Sequence, residues 1–191
     1  MTKRVIIVGI PGVGKSTVIS DVHSLLSQRG IDTKIAEFGK IMFDQARLMS
    51  IHNRDQLRRL SIEQQKTLQE MAANSINSLG NDVVLIDTHL FISTDNGFYP
   101  GMPIKLLNII NPTHLILITA TAEEIQSRRE SDNSRQRDVI SIDRIKSDLR
   151  LSESMISTSS IITGCPFYMI QNNTNEVENA TNAICKIILG K

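Results

Sequence analysis

The stretch GIPGVGKST, Gly9 to Thr17, follows directly on the aliphatic run Val5-Ile6-Ile7-Val8. An apolar strand that breaks into glycines and a lysine, then enters a helical pattern, has the spacing G-x-x-x-x-G-K-S at Gly9, Gly14, Lys15 and Ser16. Such a loop is a phosphate cradle, and its context between strand and helix gives the pattern its weight. Gly9, Gly12 and Gly14 are expected to turn with positive φ and bring backbone close to an anion. Ile10, Pro11 and Val13 complete the loop, and Thr17 closes it on the helix. Successive N–H groups then converge on phosphate, and the helix N-terminus adds its positive end. Lys15 supplies a mobile ammonium for the β- and γ-phosphates. The Ser16 hydroxyl suits a Mg²⁺ ion that keeps most of its waters.

The rest of the chain extends this unit by repetition. Strand-like runs fall at Arg4–Val8, Thr33–Glu37, Asp82–Asp87, His114–Thr119 and Phe167–Gln171. Val, Ile and Leu fill most of them with little alternation, as in strands covered on both faces. Helical patterns lie between, at about Gly14–Gln28, Gly39–Met49, Ile62–Leu79, Ala122–Glu130, Ile142–Thr163 and Glu176–Leu189. Gly30 and Gly80 stand at helix stops. Ser61…Gln64 and Thr121…Glu124 read as capping boxes, with Asn175…Glu178 a looser version. The alternation predicts an α/β fold: a three-layer α/β/α sandwich around a parallel sheet of about five strands. The segments ISTDNGFYPGMP, 92–103, and RRESDNSRQRD, 128–138, read as surface loops.

With 191 residues the chain fits one domain, 1–191, and can bury a core without disulfides. A net charge of +1 leaves no broad basic field for nucleic acid or an anionic membrane. The first apolar run is too short for a bilayer span or a leader core, so no membrane partner is expected. Cys165 and Cys185 lack CxxC spacing and read as reduced thiols in a cytoplasmic protein.

Val83-Val84-Leu85-Ile86-Asp87 closes four apolar residues on a carboxylate, placing Asp87 as a second contact to Mg²⁺ or its water shell. A cradle and a metal would serve a GTPase, an ATPase or a small-molecule kinase equally. No Asn/Thr-Lys-x-Asp guanine signature occurs, and the chain is too small for an AAA-type motor with its sensor elements. The arginines favour transfer. Arg128, Arg135 and Arg137 lie in a polar segment flanked by helices, where planar guanidinium groups can close over a transferring phosphoryl group and exclude water. Arg129 reads as a solvated surface charge, and Glu124–Arg128 as an i,i+4 pair. On the acceptor side stand Arg54 and Arg58, with Thr88 and His89 after the Asp87 strand end.

These residues resemble the archaeal-type adenylate kinases over essentially the whole chain. The similarity is carried by GIPGVGKST at 9–17, RDQLRRLS at 54–61, IDTH at 86–89, GFYPGMP at 97–103, SRRESDNSRQRD at 127–138 and TGCPFYMIQN at 163–172. The resemblance implies the Mg²⁺-dependent reaction ATP + AMP ⇌ 2 ADP. It implies that Gly9–Thr17 hold ATP, that Lys15, Arg128, Arg135 and Arg137 act on the transferring group, and that Arg54, Arg58, Thr88, His89 and Gly101 hold AMP. It further implies an AMP-binding helical region at about 38–80, a lid at about 128–141, and a homotrimer. The bacterial Asp-Gly-Phe-Pro-Arg motif is replaced by Asp87-Thr88-His89. Another nucleoside monophosphate, a metabolite such as shikimate, or a non-catalytic nucleotide switch are the alternatives.

Overall fold

The computed structural model describes residues 1–51, 53, 56, 60–94, 97–131 and 141–190. In chain order these form β1 (Lys3–Val8), α1 (Lys15–Gln28), β2 (Thr33–Glu37), α2 (Phe38–Leu48), α3 (Ile62–Asn77) and β3 (Val83–Asp87). Then come β4 (Phe91–Thr94), β5 (Gly97–Pro100), α4 (Ile104–Ile110), β6 (His114–Thr119), α5 (Ala122–Ser131), α6 (Ile142–Thr163), β7 (Phe167–Gln171) and α7 (Val177–Leu189).

β2, β3, β1, β6 and β7 make one parallel sheet in that order. β1 occupies its centre, between β3 and β6. Because side chains alternate along a strand, Val5 and Ile7 join one core while Ile6 and Val8 join the other. The first core takes Val18, Ile19, Val22 and Leu26 of α1 and Ile184 and Ile188 of α7. The second takes Ala72 and Ile76 of α3, Leu106 and Ile110 of α4, and Ile156 of α6. Both faces of the sheet are therefore covered, which gives the three layers.

Ile92–Pro103 is not the irregular loop expected from its turn formers. β4 and β5 pair antiparallel, from Phe91↔Pro100 to Thr94↔Gly97, and Phe91 meets Phe98 edge to face with centroids 5.1 Å apart. Apolar and aromatic residues supply the cross-strand contact that a short two-stranded ribbon requires. Arg144, near the start of α6, holds this hairpin. It lies over the Phe98 ring at 5.1 Å, donates to Ser93 Oγ at 3.0 Å, and pairs with Asp148 at 3.2 Å.

Local signals were read with mixed success. Ser61 and Gln64 form a reciprocal capping box. Thr121 Oγ1 accepts the Glu124 N–H, but the Glu124 carboxylate turns instead to the Thr174 N–H at 2.8 Å, so only half of that box exists. Asn175 adopts φ 63, and Glu176 rather than Asn175 is the N-cap of α7, without a side-chain cap. α3 ends at Asn77, short of Gly80.

Candidate active site

The parallel sheet brings the ends of β1, β3, β6 and β7 to one edge, and the loops that follow them meet there. In such sheets ligands bind outside the carboxyl ends where neighbouring connections diverge. β1 delivers Gly9–Gly14. Gly14 is the N-cap of α1 at φ 80, and Gly12 has φ 96. Both need the left-handed freedom of glycine. Gly9 needs glycine for a different reason, since its φ is not positive. A Cβ there would lie 2.8 Å from both the Ile118 carbonyl and Val13 Cγ2, so close approach to β6 replaces the expected turn geometry.

The first turn of α1 carries no acidic residue and its N-cap supplies no side-chain acceptor. Its N–H groups and dipole are therefore oriented for an anion. Ser16 and Thr17 are exposed on this turn, whereas Lys15 is buried. Lys15 Nζ forms an ion pair with Asp87 Oδ1 at the end of β3. Burial draws the Lys15 ammonium down to about 8, against the Glu37 carboxylate, which favours its charged form.

Asp87 Oδ1 is buried and accepts no hydrogen bond beyond its ion pair. Asp87 lies beside Ile7 of β1, two residues before the loop. An ionised carboxylate and the Ser16 hydroxyl are hard oxygen donors of the kind Mg²⁺ takes; the residues fit.

α5 closes the other side of the loop. Arg128 Nη2 pairs with Glu124 at 3.3 Å, as its spacing predicts, and Nη1 donates to the Asn172 carbonyl at 3.0 Å. Arg129, expected to be a solvated charge, instead donates Nε to the Pro11 carbonyl at 2.8 Å. Its stem lies 3.1 Å from where a Gly12 Cβ would be. Both arginines of the pair are thus tied to the cradle or its support, because helix spacing turns adjacent residues to neighbouring faces. Nothing in the sequence marks this contact, which arises because α5 abuts Gly12 through Ile125.

Of the residues expected on the acceptor side, Thr88 is buried and donates its N–H to the Ile7 carbonyl at 3.2 Å. His89 Nδ1 lies 3.4 Å from the Gly9 carbonyl. Gly101 is buried and its N–H donates to Leu90 at 2.8 Å. Thr88, His89 and Gly101 therefore gather at the β3 end beside the loop. Arg54, Arg58, Arg135 and Arg137 lie outside the described residues.

A residue that the sequence reading left unassigned sits at the centre. Asn172, just past β7, is 1% exposed and donates Nδ2 to the Val13 carbonyl at 2.8 Å.

Comparison with known proteins agrees with this geometry. A family model described as an AAA domain matches residues 8–146. The adenylate kinase of Methanocaldococcus jannaschii is 34% identical over 188 residues, covering 97% of this chain and 98% of the relative. That of Sulfurisphaera tokodaii is 35% identical, covering 96% and 98%, and that of Pyrococcus horikoshii 35%, covering 96% and 94%. Among solved structures, shikimate kinase from Bacteroides thetaiotaomicron superposes with TM-score 0.62 at 12% identity, covering 99% of both chains. Shikimate kinase from Acinetobacter baumannii gives 0.61 at 14%, covering 100% of this chain and 94% of that one. At those identities the shikimate kinases share the fold. With the P-loop, its paired aspartate and the arginine helix in place along a full-length match, the chain belongs to the adenylate kinase family.

Proposed function

We propose that the chain catalyses the reversible transfer of a phosphoryl group between ATP and AMP, giving two ADP. The observation that carries this reading is the placement of Lys15 against Asp87, with Arg129 fastened to the opposite flank of the same loop at Pro11 and Arg128 to Asn172 beside it. Phosphoryl transfer needs little covalent chemistry from protein; it needs aligned reactants and fixed positive charge around the equatorial oxygens.

In this reading the N–H groups of Gly9–Thr17 cradle the ATP phosphates. Lys15 leaves the Asp87 carboxylate to follow the transferring group, its long stem making that swing short. Asp87 and Ser16 hold Mg²⁺, which when bound neutralises phosphate charge and orients the donor. Arg128, with Arg135 and Arg137, stabilises the charge that develops as the bond breaks. Arg54, Arg58, Thr88, His89 and Gly101 receive AMP, whose phosphate arrives ionised and needs no base.

The wider reading is a cytoplasmic homotrimer that binds neither nucleic acid nor membrane. Among the described residues no helix is long and apolar enough to cross a membrane, and both cysteines are free thiols. β7 is a sheet edge, and Phe167, Met169, Ile161 and Ile162 leave apolar surface exposed along it and at the adjoining end of α6. Self-association would cover that edge. Light scattering on a sizing column reads the assembly; a monomer at micromolar concentration removes the trimer.

The enzymatic test mixes protein and Mg²⁺-ATP with AMP, GMP, CMP, UMP or shikimate and follows ADP by chromatography. Two ADP per ATP with AMP alone is the expected result. Turnover with another acceptor overturns the AMP assignment, and acceptor-independent phosphate release overturns transfer itself.

A further inference from the structure

Asn172 makes contacts that its position in the chain does not demand. Its backbone N–H donates to the Thr119 carbonyl at 2.8 Å, which registers it to the end of β6. Its carbonyl accepts from Arg128 Nη1 at 3.0 Å. Its side-chain Nδ2 donates to the Val13 carbonyl at 2.8 Å across 159 residues of sequence. That nitrogen also lies 2.5 Å from where a Cβ on Gly14 would stand. One buried residue thereby touches the cradle, the end of β6 and Arg128.

We propose that Asn172 is a positioning residue that sets the peptide between Val13 and Gly14 and locks the P-loop to Arg128; the inference rests on the ATP-binding reading of that loop. A trans peptide holds its C=O and N–H in opposite directions. Anchoring the Val13 carbonyl on Nδ2 therefore aims the Gly14 N–H away from Asn172. Inverted, the same peptide would turn a carbonyl dipole toward phosphate and repel it. Gly14 at φ 80 has no side chain to resist such inversion, so the hydrogen bond from Asn172 supplies the restraint. The polarity of the amide is fixed by the same contact. Were it flipped, Oδ1 would face the Val13 carbonyl, acceptor against acceptor. As it stands, Oδ1 is buried and without a hydrogen-bond partner in the structure. A buried acceptor left unmatched costs stability, and the position retains it because Nδ2 is needed.

Asn172→Asp keeps the shape and removes the donor, placing a carboxylate against the Val13 carbonyl. Asn172→Ala removes the donor without burying a charge, and it decides the matter if the aspartate variant does not fold. Three quantities are measured on variants whose folding is checked by circular dichroism: ATP affinity by titration without acceptor, and KM for ATP and for AMP. The expected result is a loss of about tenfold in ATP affinity, a parallel rise in KM for ATP, and a KM for AMP within about twofold of the parent. Unchanged ATP affinity in the folded variants overturns the proposal. So does an equal rise in both KM values, which marks general damage. A parent protein that binds ATP but forms no ADP with AMP would refute the transfer reading while leaving the ATP-affinity test of Asn172 intact.

Discussion

Gly101 lies so close to His89 that a Cβ at position 101 would stand 2.2 Å from the His89 carbonyl oxygen and 3.1 Å from its carbon. The obstruction is backbone, which cannot rotate aside as a side chain can. Gly101→Ala must therefore push the residues after β3 away from the β5 end. Overpacking of this kind costs about 1–3 kcal/mol, read as a lowered thermal midpoint. Because His89 and Gly101 belong to the proposed AMP side, the shift falls chiefly there, although His89 also borders Gly9. KM for AMP should rise severalfold while ATP affinity stays near the parent value. An unchanged midpoint would show that the turn adjusts freely.

Lys15→Met separates charge from packing. The methionine stem fills the buried volume of Lys15, but Asp87 Oδ1 loses its ion pair and remains buried. Breaking a buried pair on one side leaves an uncompensated charge. The variant should unfold at lower temperature than the parent, and Lys15→Met combined with Asp87→Asn should recover part of that loss. Turnover should fall by at least about 10²-fold in both, because charge stabilisation of the transferring group is gone. Thermal denaturation and ADP formation check the two halves separately.

Glu124 makes stability depend on acid in a defined direction. The Thr174 N–H bonded to its carboxylate holds Glu124 below its ordinary value of 4.5, with burial opposing it and the Thr174 hydroxyl and then Arg128 adding to the lowering. A carboxyl lowered on folding stabilises the native state above its unfolded pKa. That contribution disappears as pH falls through the lower native value. Glu124→Gln should be less stable than the parent near pH 7, and the gap should close as pH falls below the ordinary Glu124 value of 4.5 and through the lower native one. Urea unfolding at several pH values measures it; a gap independent of pH would assign Glu124 a purely steric role.

The thiols are expected to be inert in the native protein. Burial pushes Cys165 up to about 11 and raises Cys185 as well. Thiolate is the reactive form. A disulfide reagent at about pH 8 should therefore modify native protein slowly and both cysteines rapidly in denaturant. Fast native labelling would reveal local opening around β7 or α7.

The sheet was legible because β1, β3 and β6 are aliphatic runs covered on both faces, hard to mistake for anything else, and the edge strands repeat their spacing. Thr33–Glu37, His114–Thr119 and Phe167–Gln171 begin and end where the sequence reading puts them. The hairpin at 91–100 was hidden because Asn96, Gly97, Pro100 and Gly101 dominate its composition, while its strands hold only a few residues each. α4 was missed because Ile104–Ile110 is only seven residues long, too short for its buried Leu106, Leu107 and Ile110 to stand out as a helical period. The cradle was readable from spacing alone, as was the Glu124–Arg128 pair. What escaped were contacts between distant segments: Arg129 on Pro11, and Asn172 on Val13. Neither leaves a periodic trace, since each depends on where two loops end up after the sheet has formed.

The uniform direction of the five strands divides the molecule into two rims of unequal freedom. Every loop that leaves a strand's carboxyl end, after Val8, Asp87, Thr119 and Gln171, opens onto the same rim. The opposite rim only returns helices to strands, through turns such as Arg29–Asp32 and Asn111–Thr113. On the proposed reading, a protein engineer could retarget the acceptor through exposed hairpin residues such as Ile92, Ser93 and Phe98 while keeping the buried Leu90, Gly101 and Met102, and the fold would register little beyond the loss of local hairpin contacts. The same number of changes on the opposite rim would alter how the chain closes upon itself and leave its chemistry where it was.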